Sequence, residues 1–230
     1  MTPQDIEKKY GFEYPELYKQ LYIDRMLDMS ESGPNWYSEV YPKLKDNPPL
    51  LLHTYDFKLM NLKNVEDEIN ELSDPENYRK INKEFRFIPF GRSYGGDHYC
   101  FFLNDENNGN IPIVFVWHDL NEVEYLAKNL QDFIFRALLT DMAYIDEDIS
   151  DKEFKYNLEM TFKSHEKYLT EQQKELLLNF LNLEIKDYEI IYPYSKENAR
   201  GLLTYEEKDK ILVEVISFDK MATSFEYSTE

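Results

Sequence analysis

Apolar residues recur at two different periods along this chain, and the switches between them predict its elements. Tyr14, Leu17, Tyr18, Leu21 and Tyr22 share one face of a helix that starts near Pro15. Gly33-Pro34 closes that element, and Trp36, Tyr37 and Tyr41 follow in a proline-punctuated connection to Pro48-Pro49. Residues 50–60 (LLLHTYDFKLM) read as a strand, and a short helix follows with Asn64 as N-cap and Val65, Ile69 and Leu72 facing inward. Three short aromatic and β-branched runs, 85–90, 98–103 and 112–117, form the β centre. The polar cluster from Asp105 to Asn110 joins the last two as an antiparallel hairpin. Asn121 and Glu124 then read as a capping box for a helix whose stripe is Val123, Leu126, Ala127, Leu130, Ile134, Ala137 and Leu138.

The texture changes at Asp141, where DMAYIDEDISD reads as an acidic connection. Ser150 with Glu153, and Thr170 with Gln173, are capping-box pairs that open two more helices. Their apolar faces are Phe154, Leu158, Phe162, His165 and Leu169, then Leu176, Leu177, Phe180 and Leu181. Strands are expected at 188–192, 202–206 and 211–217, the last two joined as a hairpin by Glu207 to Lys210. The expected fold class is α+β: a largely antiparallel sheet backed by helices over residues 1–140, and an acidic helix-plus-strand extension over 141–230.

Charge adds a functional constraint. The 230 residues carry a formal net charge of −19. Residues 1–140 hold 24 acidic against 15 basic side chains (net −9), and the last 90 residues hold 21 against 11 (net −10). Such a surface repels phosphate backbones, so direct nucleic-acid binding is not expected, and a basic protein partner is. The acidity read alone is equally an aid to solubility. Cys100 is the single cysteine, which rules out an internal disulfide and argues against a cysteine-rich zinc module. The N-terminus lacks the basic start and apolar core of a signal peptide, and no run of about 18 apolar residues exists to span a membrane. Cytoplasmic residence is the expectation.

Candidate chemistry is thin. Gly91, Gly95 and Gly96 fall within six positions before a strand, with Asp97 placed to accept bonds from the loop's own backbone N–H groups. A phosphate cradle would want a following helix and a lysine, so this reads as a structural turn. If Leu103 faces Pro112 across the hairpin, Asp97, His98, His118 and Asp119 gather at one end. They could bind a divalent metal or form an Asp–His bond that fixes a loop, and alternation keeps all four from converging without a bend. His98 and Cys100 share a strand face, but no third member or oxyanion loop accompanies them. Trp36, Tyr37 and Tyr41 fit either an exposed aromatic anchor or a lid over core. No catalytic residue, metal ligand or cofactor is assigned.

The ordered set of motifs resembles the SUKH superfamily, which includes a fungal regulator of cell-wall assembly and many bacterial immunity proteins. Gly11 to Leu21 is similar to its opening helix, and Phe87-Ile88-Pro89-Phe90-Gly91 with Gly95-Gly96-Asp97 and His98 to Leu103 to its centre. Ile113 to Trp117 and Ala127 to Ile134 are similar to the strand and helix that follow. The resemblance covers residues 1–140 and implies an α+β fold without a catalytic motif. It implies a module that binds a toxin, often a nuclease, and neutralises it; the alternatives are a regulatory scaffold with several partners, or a metal-dependent hydrolase at the Asp97–His118 end. Asp146, Glu147, Asp148 and Asp151, with Trp36, are the expected partner-binding residues.

Overall fold

The computed structural model describes residues 1–30, 33–192 and 194–228. The chain forms two compact units, one from Met1–Gly33, Asp56–Phe133 and Phe218–Glu230, the other from Pro34–Tyr55 and Ile134–Ser217. In chain order the elements are α1 (Pro3–Tyr10), α2 (Glu16–Ile23), α3 (Tyr41–Leu44), β1 (Lys58–Leu59), α4 (Leu62–Ser73), β2 (Phe87–Arg92), β3 (His98–Phe102), β4 (Ile113–Val116), β5 (Val123–Ala127), α5 (Leu130–Ala143), α6 (Asp151–His165), α7 (Glu171–Leu181), β6 (Lys186–Ile191), β7 (Lys196–Gly201), α8 (Tyr205–Ile216) and β8 (Ser224–Phe225). The class is α+β. Among the described residues, no helix is long and apolar enough to cross a membrane.

The first unit is built on a six-stranded antiparallel sheet in the order β1-β2-β3-β4-β5-β8. Alternation along β3 sends Tyr99 and Phe101 to one face and Cys100 and Phe102 to the other. On the first face, the rings of Tyr14 and Tyr18 lie 5.8 and 5.3 Å from Phe101, and Phe90 lies 4.8 Å from it. On the second, Cys100, Phe102, Val114, Val116, Val123 and Tyr125 pack with Leu72 of α4 and with Tyr227. Both faces are covered, which is why the strands read as near-continuous apolar runs.

Several expectations are corrected. Residues 50–60 do not form one strand: only Lys58 and Leu59 join the sheet. Leu51 takes a positive φ of 53°, and its N–H bonds to the His165 ring, so this stretch cannot run as a ladder. The N-cap of α4 is Asn61, whose side chain accepts the Asn64 N–H. Residues 123–127 are strand β5, and the helix begins only at Leu130. Asn121 does not cap that helix; its amide exchanges two hydrogen bonds with the backbone of Ser228, at 3.0 and 2.8 Å. The hairpin register is one residue off the expected one, with His98 opposite Val116 and Phe101 opposite Ile113.

In the second unit, Ser150 and Thr170 cap α6 and α7 as expected. Asp141 belongs to the last turn of α5 rather than to a connection. The expected strands at 202–206 and 211–217 are absent. Thr204 and Glu207 form a full capping box and open helix α8 across that stretch, burying Leu212 and Ile216. The partner of β6 is instead β7, in a two-stranded antiparallel sheet. Gly201 ends β7 against backbone: a Cβ there would fall 2.5 Å from the Ala143 carbonyl oxygen and 2.9 Å from that of Leu203. Gly201→Ala is therefore expected to cost about 1–3 kcal/mol, as overpacking does. A lowered urea midpoint would show it, and an unchanged midpoint would mean that the backbone yields freely there.

Candidate functional site

Two places collect polar side chains. The first is the end of β3, where the glycine-rich loop turns in. Ser93 Oγ accepts the N–H groups of Gly96 and Asp97, at 3.1 and 3.0 Å, and donates to Asp97 Oδ2 at 2.7 Å. The other carboxylate oxygen, Oδ1, accepts from the backbone N–H of His118 at 2.9 Å and stands 2.8 Å from its Nδ1. Burial pushes the Asp97 carboxyl up, but the bonds from His118 and Ser93 outweigh it and hold it below the usual range. Gly96 has a φ of +106°, which few side chains would tolerate. Gly91, at a register shift after Pro89, leaves the space that the Phe57 ring fills, while Gly95 is exposed.

The ligand atoms of Asp97, His118 and Asp119 lie within 4.8 Å of one another. A cation among them would have to displace hydrogen bonds that Asp97 already accepts, so the geometry works as a lock between the loop and the end of β4. His98 turns elsewhere, its Nε2 2.9 Å from Glu68 Oε2. Cys100 is fully buried, and burial raises its thiol well above the ordinary value. A nucleophile needs the opposite shift.

The second place is a cleft of about 960 Å³ in the second unit, between residues 144–149 and the β6–β7 hairpin. Five carboxylates line it, Asp146, Glu147, Asp187, Glu189 and Glu197, against two cations, Lys196 and Arg200. Both cations are engaged. Lys196 lies 2.9 Å from Glu189, and Arg200 bridges Asp187 and Asp151 at 3.2 and 3.0 Å. Asp146, Glu147 and Glu197 have no ion-pair partner among the described residues. The local field is therefore negative after internal pairing. Ile191, Tyr192 and Tyr194, at and beyond the end of β6, are exposed.

Of the expected partner-binding residues, Asp146 and Glu147 line this cleft. Asp148 is exposed beside it, its N–H donating to Asp146 Oδ1 at 2.9 Å, and Asp151 is committed to Arg200. Trp36 is half-buried and not among the lining residues; its ring lies 5.1 and 5.9 Å from those of Tyr37 and Tyr41. Asp187, Glu189 and Glu197 were not anticipated. The alternation of charged and apolar residues from Asp187 to Ile190 is the signal that would have found the first two.

The model of the SMI1/KNR4 family (SUKH-1) matches residues 2–136. No curated protein and no solved structure matches the chain. Every residue lining the acidic cleft lies C-terminal to the matched segment.

Proposed function

The chain belongs to the SMI1/KNR4 family (SUKH-1), and from that premise we propose that it is a non-catalytic protein-binding module, a bacterial immunity protein that neutralises a nuclease-type toxin. A surface that grips phosphate is basic, so a blocker of such a surface gains affinity and encounter rate by being acidic. The observation that carries the reading is the cleft, where Asp146, Glu147 and Glu197 remain unpaired by cations beside exposed Ile191, Tyr192 and Tyr194. Exposed tyrosines are among the side chains that concentrate binding energy in protein interfaces, and carboxylates without cations add complementarity to a basic partner. The reading places the protein in the cytoplasm, with the toxin domain as partner and without direct nucleic-acid or membrane binding.

Co-purification with the product of the adjacent gene tests the pairing. With that partner in hand, the triple variant Asp146→Lys, Glu147→Lys, Glu197→Lys is expected to weaken binding at least about tenfold. It should also flatten the fall of affinity with added salt. An affinity indifferent to salt and to charge reversal would sink the electrostatic reading. Several weak partners in place of one tight one would indicate a regulatory scaffold.

A further inference from the structure

The cleft has an unusual wall. Five consecutive residues of β7, Lys196 to Arg200, all line it. Successive strand side chains point to opposite faces, so a run of neighbours can line one cleft only if the cleft follows the strand's edge. The hydrogen-bond parity of the hairpin says what that edge offers. The Tyr192 N–H donates to the Ser195 carbonyl at 2.9 Å, which makes 192 and 195 a hydrogen-bonded pair. Counting along the register, Ile190 with Glu197 and Tyr188 with Ala199 are bonded pairs too. Lys196, Asn198 and Arg200 belong to the other kind of pair and turn their N–H and C=O groups away from β6, toward the cleft.

The far side of the edge confirms this parity. The Arg200 carbonyl accepts the Ile145 N–H at 2.8 Å, and the Leu202 N–H donates to Met142 at 2.7 Å. The end of α5 and Ile145 thus cover the edge of β7 from Arg200 onward, and the edge at Lys196 and Asn198 faces the cleft. Its volume lies at the upper end of the range of about 300–1,000 Å³ common for ligand clefts.

We infer that the outer edge of β7 at Lys196 and Asn198 receives an extended, lysine- or arginine-bearing segment of the protein partner, which adds as a strand to the β6–β7 sheet beside the bond that Ile145 makes to Arg200. This deepens the reading of the cleft as an acidic docking site and rests on it. Main-chain bonds to Lys196 and Asn198 supply affinity, and side chains at alternate positions are selected by charge. On the face that carries Glu197 and Tyr188 they meet a carboxylate that accepts the Tyr192 hydroxyl at 3.4 Å and has no cation on it among the described residues, and across the cleft stand Asp146 and Glu147. On the other face Asp187 and Glu189 are already held by Arg200 and Lys196, so selection for basic residues falls on every second position.

The test uses the full chain and two capped heptapeptides of equal charge, one alternating Lys with Val and one alternating Lys with Pro, which cannot form a ladder. Calorimetry is expected to show the Lys-Val peptide binding at least about tenfold more tightly than the Lys-Pro peptide. The variant Asn198→Pro removes an outward N–H that the hairpin does not use, and should erase that advantage, while Asn198→Ala keeps it. Amide exchange on the native chain gives an independent reading: the Lys196 and Asn198 amides should gain protection when the Lys-Val peptide is added, whether or not the proline variant folds. Equal binding of both peptides, or unprotected amides, overturns strand addition. If both peptides then still weaken with salt and with Glu197→Lys, the acidic docking reading stands without it; if neither peptide binds, strand addition falls and the docking reading rests on its test with the partner.

Discussion

Replacing His165 with Ala is expected to destabilise the protein by about 3–5 kcal/mol, seen as a large drop in the urea midpoint at pH 7. The ring is fully buried at the end of α6. Its Nε2 accepts the Leu51 N–H at 3.1 Å, so the ring proton sits on Nδ1, 2.8 Å from the Thr161 carbonyl oxygen. Alanine leaves a buried backbone N–H without its acceptor and opens a cavity, two costs that add. Burial also pushes the imidazole down to about 4, from an ordinary 6.5. The folded state thus keeps His165 neutral where the unfolded chain protonates it. The stability this contributes is complete above pH 6.5 and is lost as pH falls toward 4, at up to about 1.4 kcal/mol per unit. The Ala variant should lose that acid sensitivity along with its stability. A variant with the native midpoint and the native pH profile would show that the Leu51 bond stabilises nothing.

The same bond explains why part of the fold was not legible. LLLHTYDFKLM has the composition of a strand, but a partner 114 residues away and a left-handed Leu51 decide its path. Asn121 likewise looks like a helix cap locally, and its actual partner, Ser228, is 107 residues on. The stretch 202–217 failed differently. Its β-branched residues suggested strands, and a complete local signal, Thr204 with Glu207, outweighed them. The central strands were legible because each short run is bounded by turn residues and buried on both faces. Half of the cleft was readable for a related reason. Asp146 and Glu147 stand in a visible charge run, whereas Glu197 joins them only through the pairing of β6 with β7. Charge density along the chain also did not foretell neutralisation: Asp151 looked available and is held by Arg200.

Asp141→Asn is expected to do the opposite of the His165 change and stabilise the protein, by on the order of 3 kcal/mol at pH 8. Burial raises the Asp141 carboxyl to about 7, against the bond from the Tyr55 N–H that favours its ionised form. The folded protein thus holds a proton that the unfolded chain releases near pH 3.8. Stability from this group is complete below pH 3.8 and is lost as pH rises to about 7, so at pH 8 the wild type carries a half-buried charge that Asn would remove. Asn also keeps an oxygen for the Tyr55 N–H, now 3.1 Å from Oδ1. The two groups oppose each other between about pH 4 and 6.5, where His165 gains and Asp141 loses stability with rising pH at similar slopes. The wild-type midpoint should therefore be nearly level across that interval as far as these groups decide it. Asp141→Asn should expose a rise with pH, and His165→Ala a fall. Urea denaturation at pH 4, 6 and 8 reads all three profiles. If Asp141→Asn is no more stable than wild type at pH 8, the carboxylate is accommodated as an anion and the compensation does not exist.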